Sequence, residues 1–490
     1  MMAMVQDSVE NEKKCICLRC PSFPRDCKGE ILYCARGESR CEIKGRGCVC
    51  SVCSVYLENQ LQGLYFCDQV EVGSSKTMMR KRYADEESAR YEITVDIKDV
   101  AAKGRSIICS MGSLKKMPFS FDDLHFIPAQ AAKIPLEREE KVNTEITIGP
   151  RARSPLRLFS PIMISGMSLG ATSGNVKRII SEVAGRLRIA YNSGEGGILE
   201  EEFAATSRFL IGQYTTDRAE VDVEVLRKVA AVEIRFGQGA YPGKGSYLPE
   251  SKVTKETSQV RGLKGPERSD SPAHHSDMTT PEEIKEKVSW LRKATGGVPI
   301  GAKIGCGDVE ADIQVLVDAG VDFIALDGFG GGTGATEKYV RENVGIPIIA
   351  ALPRAVRFLR KLAAKNDISL IAGGGLRTSA DFAKCLALGA DAVYIATSAL
   401  IAINCQQYRI CHTGICPSGV TTHSPVLAKQ LGFEEGVRNL SNFIGTSTEE
   451  IANLTRVVGK DDVRKVDLGD LVSLNKDLAL ITGARWLSGE

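Results

Sequence analysis

Between residues 161 and 396 the sequence alternates short apolar runs with longer stretches of helical character. The apolar runs end in glycine-rich or polar tips and lie at residues 162–167, 188–191, 232–236, 299–304, 323–326, 347–351, 368–372 and 392–396. Amphipathic runs separate them, and two of these are followed at once by the glycine that commonly ends a helix. Strand and helix alternating eight times predict an α/β fold with a (β/α)8 TIM barrel, whose active site lies at the carboxyl ends of the strands.

The chain of 490 residues is longer than such a barrel needs, since ~250 residues are typical. We predict four parts: a cysteine-rich metal-binding domain at 1–67, a connecting region at 68–148, the barrel with its cysteine loop at 149–423, and a helical extension at 424–490. In the connecting region, alternating apolar and polar residues predict short strands, for example over 91–97. The extension shows helical patterns, including 448–458, and is expected to pack beneath the barrel.

Composition limits the partners of the chain. The formal net charge is +2 and charged residues make up 25% of the sequence, without the basic excess of a nucleic-acid-binding protein. No apolar run reaches the ~20 residues that span a bilayer, and residues 1–14 are polar. We therefore expect a cytoplasmic protein that binds neither nucleic acid nor membrane. In that compartment the 16 cysteines are expected to be metal or redox ligands before disulfides.

Ten of these cysteines lie within residues 15–67, where one motif occurs twice. Cys15-x-Cys17-x-x-Cys20 returns as Cys48-x-Cys50-x-x-Cys53, with Cys27, Cys34, Cys41 and Cys67 between and after the two motifs. A segment this short, with few apolar residues, needs metals or cross-links to fold. We predict that the six motif cysteines bind metal. Zinc and iron–sulfur ligation both remain open, and a disulfide knot is the alternative in an oxidising compartment.

A second cysteine group, Cys405, Cys411 and Cys416, follows the eighth apolar run and is closed by Pro417. Cysteine thiolates are the usual ligands of iron–sulfur clusters, and proline ends such a ligand loop without a backbone donor. The spacing differs from a four-ligand ferredoxin run, and three buried thiols without metal are the alternative. The position just past the eighth predicted strand favours a cluster on these three cysteines.

Three glycines, Gly373–375, follow the seventh run, and Ala396 and Thr397 end the eighth. Glycine lets backbone N–H groups close around an anion, and in these barrels the loops after strands seven and eight form the phosphate site. We therefore predict a cofactor phosphate at this position. A tight turn without a ligand is the alternative reading of a glycine triplet.

The remaining tips carry charged and amide side chains that an apolar barrel does not need. Lys303 closes the fourth run, where its ammonium group could hold negative charge on a flavin ring or a carboxylate. A solvated surface lysine is the alternative. Glu195 lies between glycines after the second run, so its side chain either faces substrate or caps a turn.

Together these motifs resemble the flavin-binding synthase domain of glutamate synthases, over roughly residues 122–422. The resemblance rests on Ile164-Ser-Gly-Met-Ser-Leu-Gly-Ala171, Asn192-Ser-Gly-Glu-Gly-Gly197, Gln238-Gly-Ala-Tyr-Pro-Gly243, Gly331-Gly-Thr-Gly-Ala335, Gly373-Gly-Gly375 and the run of Cys405, Cys411 and Cys416. It implies FMN in the barrel and a 3Fe-4S cluster, or a 4Fe-4S cluster, on the three cysteines. It also implies reductive amination of 2-oxoglutarate, through 2-iminoglutarate, to L-glutamate.

The resemblance also assigns roles to individual residues. It places the FMN phosphate on Gly373, Gly374, Gly375, Ala396 and Thr397, and the flavin among Ser165, Gly166, Met167, Ser168, Ser193, Gln238 and Lys303. Lys303 and Glu195 are the predicted catalytic residues. The substrate carboxylates would be bound by Arg218 and Gln213, whose stretch resembles the family's Gln-Val-x-x-Gly-Arg, and by Arg235, which stands where the family has lysine.

Three departures from the family pattern lie near the predicted substrate site: Asp217-Arg-Ala-Glu220, Tyr241 and Gly330. They leave open a different oxo acid or amine, as in an N-methylglutamate synthase, or a flavin-binding redox sensor or scaffold without catalysis. The sequence also lacks a glutaminase domain and a Gly-x-Gly-x-x-Gly unit for NAD(P)H. We therefore expect ammonia from solution or from a separate glutaminase subunit, electrons from a partner subunit or ferredoxin, and an oligomeric assembly.

Overall fold

The computed structural model describes residues 5–24, 30–41, 43, 48–59, 61, 65–68, 86–217, 223–265 and 267–488. These residues form a closed barrel of parallel strands, which confirms the predicted TIM-barrel fold. In chain order the barrel strands are β1 (Ile162–Ile164), β2 (Tyr191–Asn192), β3 (Leu210–Tyr214), β4 (Ala231–Arg235), β5 (Ile300–Gly305), β6 (Phe323–Asp327), β7 (Ser369–Gly373) and β8 (Ala392–Ile395). β8 pairs with β1 and closes the barrel, with Val393 opposite Ile162.

The sequence prediction was wrong about one strand and missed another. Residues 347–351 begin the helix Ile348–Lys361 rather than a strand. A short, continuous apolar run fits a buried strand and a buried helix equally well, and here the amphipathic pattern continues into the following turns. The missed strand is Leu210–Tyr214, whose Gly212 and Gln213 break the apolar pattern although both lie inside the barrel wall.

Helices surround the barrel. Those outside the strands are Gly174–Leu187, Glu200–Thr206, Val223–Leu226, Pro281–Ala294, Val309–Ala319, Ile348–Lys361, Ser379–Ala387 and Phe433–Val457. Local sequence signals fix several ends. Thr280 caps the start of helix Pro281–Ala294 and forms a capping box with Glu283. Gly320 ends helix Val309–Ala319 in the left-handed region at φ 79°. The apolar faces of these helices and the strands form one continuous core.

The C-terminal extension lies beside the barrel rather than beneath it. Only the short helix Thr397–Ala402 follows β8 directly. Helix Phe433–Val457 then packs against both Gly174–Leu187 and Ser379–Ala387, and so fills the outer position between the first and seventh helices. A Cβ on Gly436 would lie 2.6 Å from Ile179 Cδ1, which shows how closely the helices approach. The extension therefore completes the helical ring.

The end of the chain also contributes strands. Leu471–Ser473 pairs with Leu124–Phe126 and with Arg485–Trp486 to form a three-stranded sheet. The other helical segments of this part and of the barrel loops are Ser207–Phe209, Glu250–Lys252, Lys255–Val260, Lys338–Arg341, Cys411–Thr413, Pro425–Ala428, Val463–Lys465, Leu468–Asp470 and Lys476–Thr482. Two-stranded pairs join Ile146–Ile148 to Leu156–Leu158 and Ser246–Leu248 to Ser269–Ser271.

The connecting region differs from the prediction at residues 91–97. These residues lie within the helix Glu86–Lys103 and not in a strand. The alternating stretch is short, whereas helix-favouring Glu, Ala, Arg and Lys residues extend the helix well beyond strand length. Further along, Phe121–Asp123 forms a helical turn, and Ile108–Cys109 pairs with Thr336–Glu337 and carries this region over the barrel mouth.

The described N-terminal residues form short helical segments: Val9–Lys14, Cys17–Arg19, Tyr33–Arg36, Cys50–Val52, Ser54–Glu58 and Phe66–Asp68. They have a small apolar cluster of their own, made by Val5, Leu32, Cys53 and Val55. Across the described residues as a whole, no helix combines the length and apolar character needed to cross a bilayer.

Candidate active site

The carboxyl ends of the barrel strands open into a cavity of about 1330 Å³, part of which is open to solvent. Most of the predicted site residues line it: Ser165, Gly166, Met167, Ser168, Glu195, Gln213, Arg235, Gln238, Lys303, Gly373, Gly374, Gly375, Ala396, Thr397, Cys405, Cys411 and Cys416. The fold thus gathers residues that are more than 200 positions apart in the sequence around one space.

Lys303, on β5, is the cation at the centre of the cavity. Its Nζ lies 3.1 Å from Asp327 Oδ2 and donates a hydrogen bond of 3.1 Å to Ser165 Oγ. Burial disfavours the ammonium charge, but the carboxylates of Asp327 and Glu233 outweigh it and raise the pKa of Lys303 above the ordinary lysine value. Lys303 is therefore positively charged and fixed in direction at the cavity floor.

Glu233, on β4, is a buried carboxylate that the sequence analysis did not single out. Its Oε1 accepts hydrogen bonds from Asn192 Nδ2 at 2.7 Å and Gln213 Nε2 at 2.9 Å. Its Oε2 accepts one from the Tyr394 hydroxyl at 3.0 Å. Burial raises the pKa of Glu233, while Lys303 and these donors act in the opposite direction. The signal in the sequence was a charged residue in the middle of an apolar strand.

Glu195 and Arg235 form a buried ion pair in the wall of the cavity. Glu195 Oε2 lies 3.2 Å from Arg235 Nη2, and Arg235 Nη1 donates to the Tyr241 hydroxyl at 3.2 Å. Within the part of the chain that the structure describes, the other carboxylate oxygen, Glu195 Oε1, is buried without a hydrogen-bond partner. A buried acceptor of this kind is costly unless a ligand or water donates to it.

Ser193 lies away from the cavity, although it was predicted beside the flavin. Its hydroxyl donates to the carbonyl oxygens of Gly194 and Gly197, both at 3.3 Å. Its own carbonyl accepts a hydrogen bond of 2.7 Å from the buried Lys177 Nζ. These contacts hold the loop after β2 in place, and this loop carries Glu195.

The glycine loop after β7 approaches neighbouring backbone too closely for a side chain. Gly374 has φ +103°, and a Cβ there would lie 2.4 Å from the carbonyl oxygen of Gly328. Gly332 faces Thr397, where a Cβ would lie 2.9 Å from Oγ1. Exposed N–H groups, small residues and the Thr397 hydroxyl suit a phosphate, and Arg377 lines the same cavity. The residues present therefore fit an FMN phosphate.

The three loop cysteines line the same cavity, and Cys405 is a neighbour of Arg377. Burial raises the pKa of Cys405 to about 12 and raises that of Cys411. Burial also opposes ionisation of Cys416, but hydrogen bonds from Ser418 and Thr421 lower its pKa. Lys252 Nζ donates to the carbonyls of Cys411 at 3.0 Å and Ala171 at 3.1 Å, which ties this loop to the tip after β1. Three thiols without acidic neighbours fit an iron–sulfur cluster.

The N-terminal motif cysteines line a separate cavity of about 510 Å³. Its cysteines are Cys15, Cys17, Cys20, Cys34, Cys48, Cys50, Cys53 and Cys67. Cys41 is disulfide-bonded, and Cys27 lies outside the described residues. In the residues that the structure describes, no three His, Cys, Asp or Glu side chains are placed to hold a metal ion.

Arg218 lies outside the described residues, so its predicted role at the substrate remains a prediction. Several lining residues were not predicted as site residues: Met111, Asp327, Arg377, Tyr394 and Tyr408. Asp327, Arg377 and Tyr408 lie inside motifs that the sequence analysis quoted or beside them, so their position after a strand was the available signal. Met111 comes from the connecting region, and nothing in its sequence surroundings points to the barrel mouth.

Comparison with known proteins adds independent findings. A family model described as the conserved region in glutamate synthase matches residues 91–461, and one described as a protein of unknown function (DUF2769) matches residues 15–68. The glutamate synthase large subunit-like protein of Rhizobium meliloti is 35% identical over 419 residues, 81% of this chain and 94% of the relative. The archaeal glutamate synthase (NADPH) of Methanocaldococcus jannaschii is 35% identical over 403 residues, 76% and 78% of the two chains. The archaeal-type glutamate synthase (NADPH) of Dehalococcoides mccartyi is 30% identical over 473 residues, 92% and 91%.

Proposed function

Because the chain belongs to the glutamate synthase family, we propose that it is an FMN-dependent oxidoreductase that reductively aminates 2-oxoglutarate, through 2-iminoglutarate, to L-glutamate. Electrons reach the flavin through an iron–sulfur cluster. The observation that carries this proposal is the shared cavity, in which a glycine loop suited to phosphate, the fixed Lys303 ammonium and three cysteine thiols all face one space.

Gly373, Gly374, Gly375 and Thr397 hold the FMN phosphate, with Arg377 as its counter-charge, and Ser165 to Ser168 and Gln238 surround the flavin. When bound, FMN supplies the hydride that reduces the C=N bond of the imine. Lys303 stabilises negative charge at the flavin edge, because its Nζ is fixed by Asp327 and Ser165 and points into the cavity. Fixed charge of this type needs no rearrangement during the reaction.

Arg235 binds a carboxylate of the oxo acid, and Arg218 is its second cation. The Glu195 ion pair holds the Arg235 guanidinium in place. The unpartnered Glu195 Oε1 accepts a hydrogen bond from the incoming amine or the imine nitrogen. Gln213 is held by Glu233 and presents its amide at the same level of the barrel. Ammonia comes from solution or from a separate glutaminase subunit.

Cys405, Cys411 and Cys416 hold a 3Fe-4S cluster, with a 4Fe-4S cluster as the alternative. Thiolates are the usual ligands, and iron offsets the cost of burying three sulfur anions at this place. These cysteines line the same cavity as Lys303, so a cluster held there would supply electrons to a flavin bound in that cavity. The external donor is a ferredoxin or an electron-donor subunit.

The test is to purify the full chain without oxygen, record its visible spectrum and determine flavin and iron. The reduced protein is then mixed with 2-oxoglutarate and ammonia, and return of the flavin absorbance is followed. We expect bound FMN, bound iron, and reoxidation that requires both substrates. The proposal is overturned if the preparation binds no flavin, or if its reduced flavin is not reoxidised by the two substrates. Either result supports the sensor or scaffold alternative.

A second candidate amine is suggested by Tyr241, which stands where the family has lysine and accepts a hydrogen bond from the Arg235 guanidinium. A neutral hydroxyl in place of an ammonium group changes the charge beside the substrate. Methylamine in place of ammonia tests this directly. Faster reoxidation with methylamine would assign the chain to N-methylglutamate formation on the same site.

A further inference from the structure

Four cysteines of the N-terminal segment recur later in the segment. The Cys-x-Cys-x-x-Cys motif accounts for three of them, and a fourth recurs with them. Cys15, Cys17, Cys20 and Cys34 have counterparts at Cys48, Cys50, Cys53 and Cys67, and the offset is 33 residues for all four pairs. Cys27 and Cys41 have no cysteine counterpart at that offset. The repeat therefore selects eight of the ten cysteines.

The structure repeats with the same offset. The helical turns Cys17–Arg19 and Cys50–Val52 correspond, and so do the left-handed residues Leu32 at φ 61° and Tyr65 at φ 58°. The backbone N–H of Leu32 donates to Cys15 Sγ at 3.3 Å, and that of Tyr65 donates to Cys48 Sγ at 3.1 Å. Left-handed backbone at a leucine and a tyrosine is uncommon. Its recurrence indicates two copies of one sulfur-binding loop.

Aromatic pairs follow the same rule. Phe23 and Tyr33 pack with ring centroids 6.5 Å apart, and their counterparts Tyr56 and Phe66 pack at 6.1 Å. All four rings, with the eight repeated cysteines, line the cavity of about 510 Å³. A space enclosed by thiols and aromatic rings suits a sulfide-rich inorganic cluster, which is bulky and whose surface is partly sulfur.

The fourth cysteine of each copy interacts with cysteines of both copies. The thiol of Cys34 has Cys53 and Cys15 as its charged neighbours. At the equivalent place, the thiol of Cys67 has Cys20 and Cys48. The contacts agree, because Cys53 Sγ lies 4.0 Å from the carbonyl oxygen of Lys14, next to Cys15, and Cys20 makes a hydrogen bond with the Val49 backbone, next to Cys48. The third cysteine of each copy is thus exchanged: Cys53 faces the first loop and Cys20 faces the second.

We propose that this segment binds two four-iron clusters with exchanged ligands, one on Cys15, Cys17, Cys34 and Cys53, and the other on Cys48, Cys50, Cys67 and Cys20. Two-cluster ferredoxins exchange one ligand in the same sense, although with a different spacing of cysteines. In a four-iron cluster each iron takes its own thiolate. Zinc, whose four ligands contact one ion, is the alternative that metal analysis decides.

The second cluster site lies beside the barrel. Tyr408, from the loop between Cys405 and Cys411, makes a side-chain hydrogen bond with Ser51 and has Cys48 and Cys416 among its charged neighbours. Tyr408 also lines the catalytic cavity. If the proposed function holds, each electron that an external reduced iron–sulfur protein gives to the segment passes on to the Cys405–Cys416 loop. The segment then returns to its starting redox state.

Iron and sulfide analysis of the anaerobic full-length chain tests the presence of the clusters. We expect about eight iron atoms per chain beyond those of the barrel cluster, and as many sulfides. The matched variant Cys109→Ala, which changes a half-buried thiol outside both groups, should keep the full amount. The proposal is overturned if the iron content does not exceed that of the barrel cluster, or if the segment contains stoichiometric zinc instead of iron.

Paired substitutions test the exchange of ligands. Cys34→Ala with Cys53→Ala removes two ligands of one site, so about four iron atoms should be lost and one reduced four-iron signal should remain in the electron paramagnetic resonance spectrum. Cys34→Ala with Cys20→Ala damages both sites, so about eight iron atoms should be lost and no four-iron signal beyond that of the barrel cluster should remain. The opposite pattern would show that each copy binds its own cluster, and would overturn the exchange. These readouts do not depend on glutamate formation, so they separate failure of this proposal from failure of the proposed function.

Discussion

Arg235 Nη2 lies 3.2 Å from Glu195 Oε2 within the barrel mouth, and both side chains are buried. Arg235 ends β4 and Glu195 lies in the loop after β2, so the pair exists only in the folded barrel. Its charges nearly cancel, while one carboxylate oxygen remains without a hydrogen-bond donor in the described part of the chain. A ligand that donates a hydrogen bond to this oxygen would therefore change the balance of the pair.

The two halves of the ion pair should affect oxo-acid binding in opposite directions. Glu195→Gln leaves the Arg235 charge uncompensated and should tighten binding of 2-oxoglutarate, whereas Arg235→Ala should weaken it by at least about tenfold, ~1.4 kcal/mol. Binding is measured by flavin difference spectroscopy without ammonia. The exposed Arg227→Ala is the control. Equal weakening by both variants would mean that the pair only supports the fold.

Lys303→Met should bind FMN but lose turnover by about 10²–10³-fold, the usual loss when one fixed donor to a developing charge is removed. The measurement is steady-state kcat with the flavin content determined in parallel. Arg227→Ala, at a half-exposed cation outside the cavity, serves as the control and should keep the turnover. Undiminished turnover in Lys303→Met would remove this residue from the mechanism.

The charge of Lys303 should not titrate in the working range of pH. Its folded pKa is raised above the ordinary 10.5, so its charge-dependent contribution to stability is complete below 10.5 and disappears only as pH rises through the higher folded value. The Tm difference between wild type and Lys303→Met should therefore be constant from about pH 6 to about pH 9.5. A difference that shrinks within this range would show that the lysine is neutral in part of it.

Gly374→Ala should abolish FMN binding and destabilise the fold, by roughly 1–3 kcal/mol for a side chain forced into positive φ. The added Cβ would lie 2.4 Å from the Gly328 carbonyl oxygen. Gly307→Ala is the matched control, because nothing lies within 4 Å of its Cβ position. Thermal unfolding and flavin content are measured for both. A Gly374→Ala protein with full flavin would exclude this loop as the phosphate site.

Cys411→Ala should lose the iron of the barrel cluster while keeping flavin. The Cys411 carbonyl is tied by Lys252 to the tip after β1, whereas the glycine loop packs against Gly328, so the two cofactor sites use different residues and should separate by mutation. Iron content and the spectrum of the oxidised protein are compared with those of Cys109→Ala. Iron unchanged in Cys411→Ala would support the alternative of buried thiols without metal.

Most of the barrel could be predicted from sequence because a parallel strand buried on both faces is a short apolar run with a polar tip. The rule failed at Ile348, where a buried helix begins with the same type of apolar run. It also failed at Gly212 and Gln213, which interrupt the apolar pattern within a barrel strand. Glu233 escaped attention for a related reason. Its partners Asn192, Gln213 and Tyr394 are known only once the strands are in register.

The candidate site was predictable at the strand tips, since the topology alone brings those ends together. Residues that reach the site from other parts of the chain could not be predicted. Met111 lines the cavity and is held there by a hydrogen bond of 2.7 Å from its N–H to the Thr333 carbonyl. Lys252, in the loop after β4, contacts the site indirectly by donating to the Cys411 carbonyl. Ser193 shows the reverse case, because a residue in a matching motif turns its hydroxyl towards its own loop.

The late position of helix Phe433–Val457 affects how the protein is made. Helix Gly174–Leu187, which packs against it, is synthesised roughly 250 residues earlier, so at ~5–20 residues per second it waits on the order of ten to fifty seconds for this neighbour. During that time Ile179 lacks the covering of Gly436. A ribosome that pauses before residue 433 would thus display an apolar strip on an otherwise assembled barrel, a natural binding place for a chaperone.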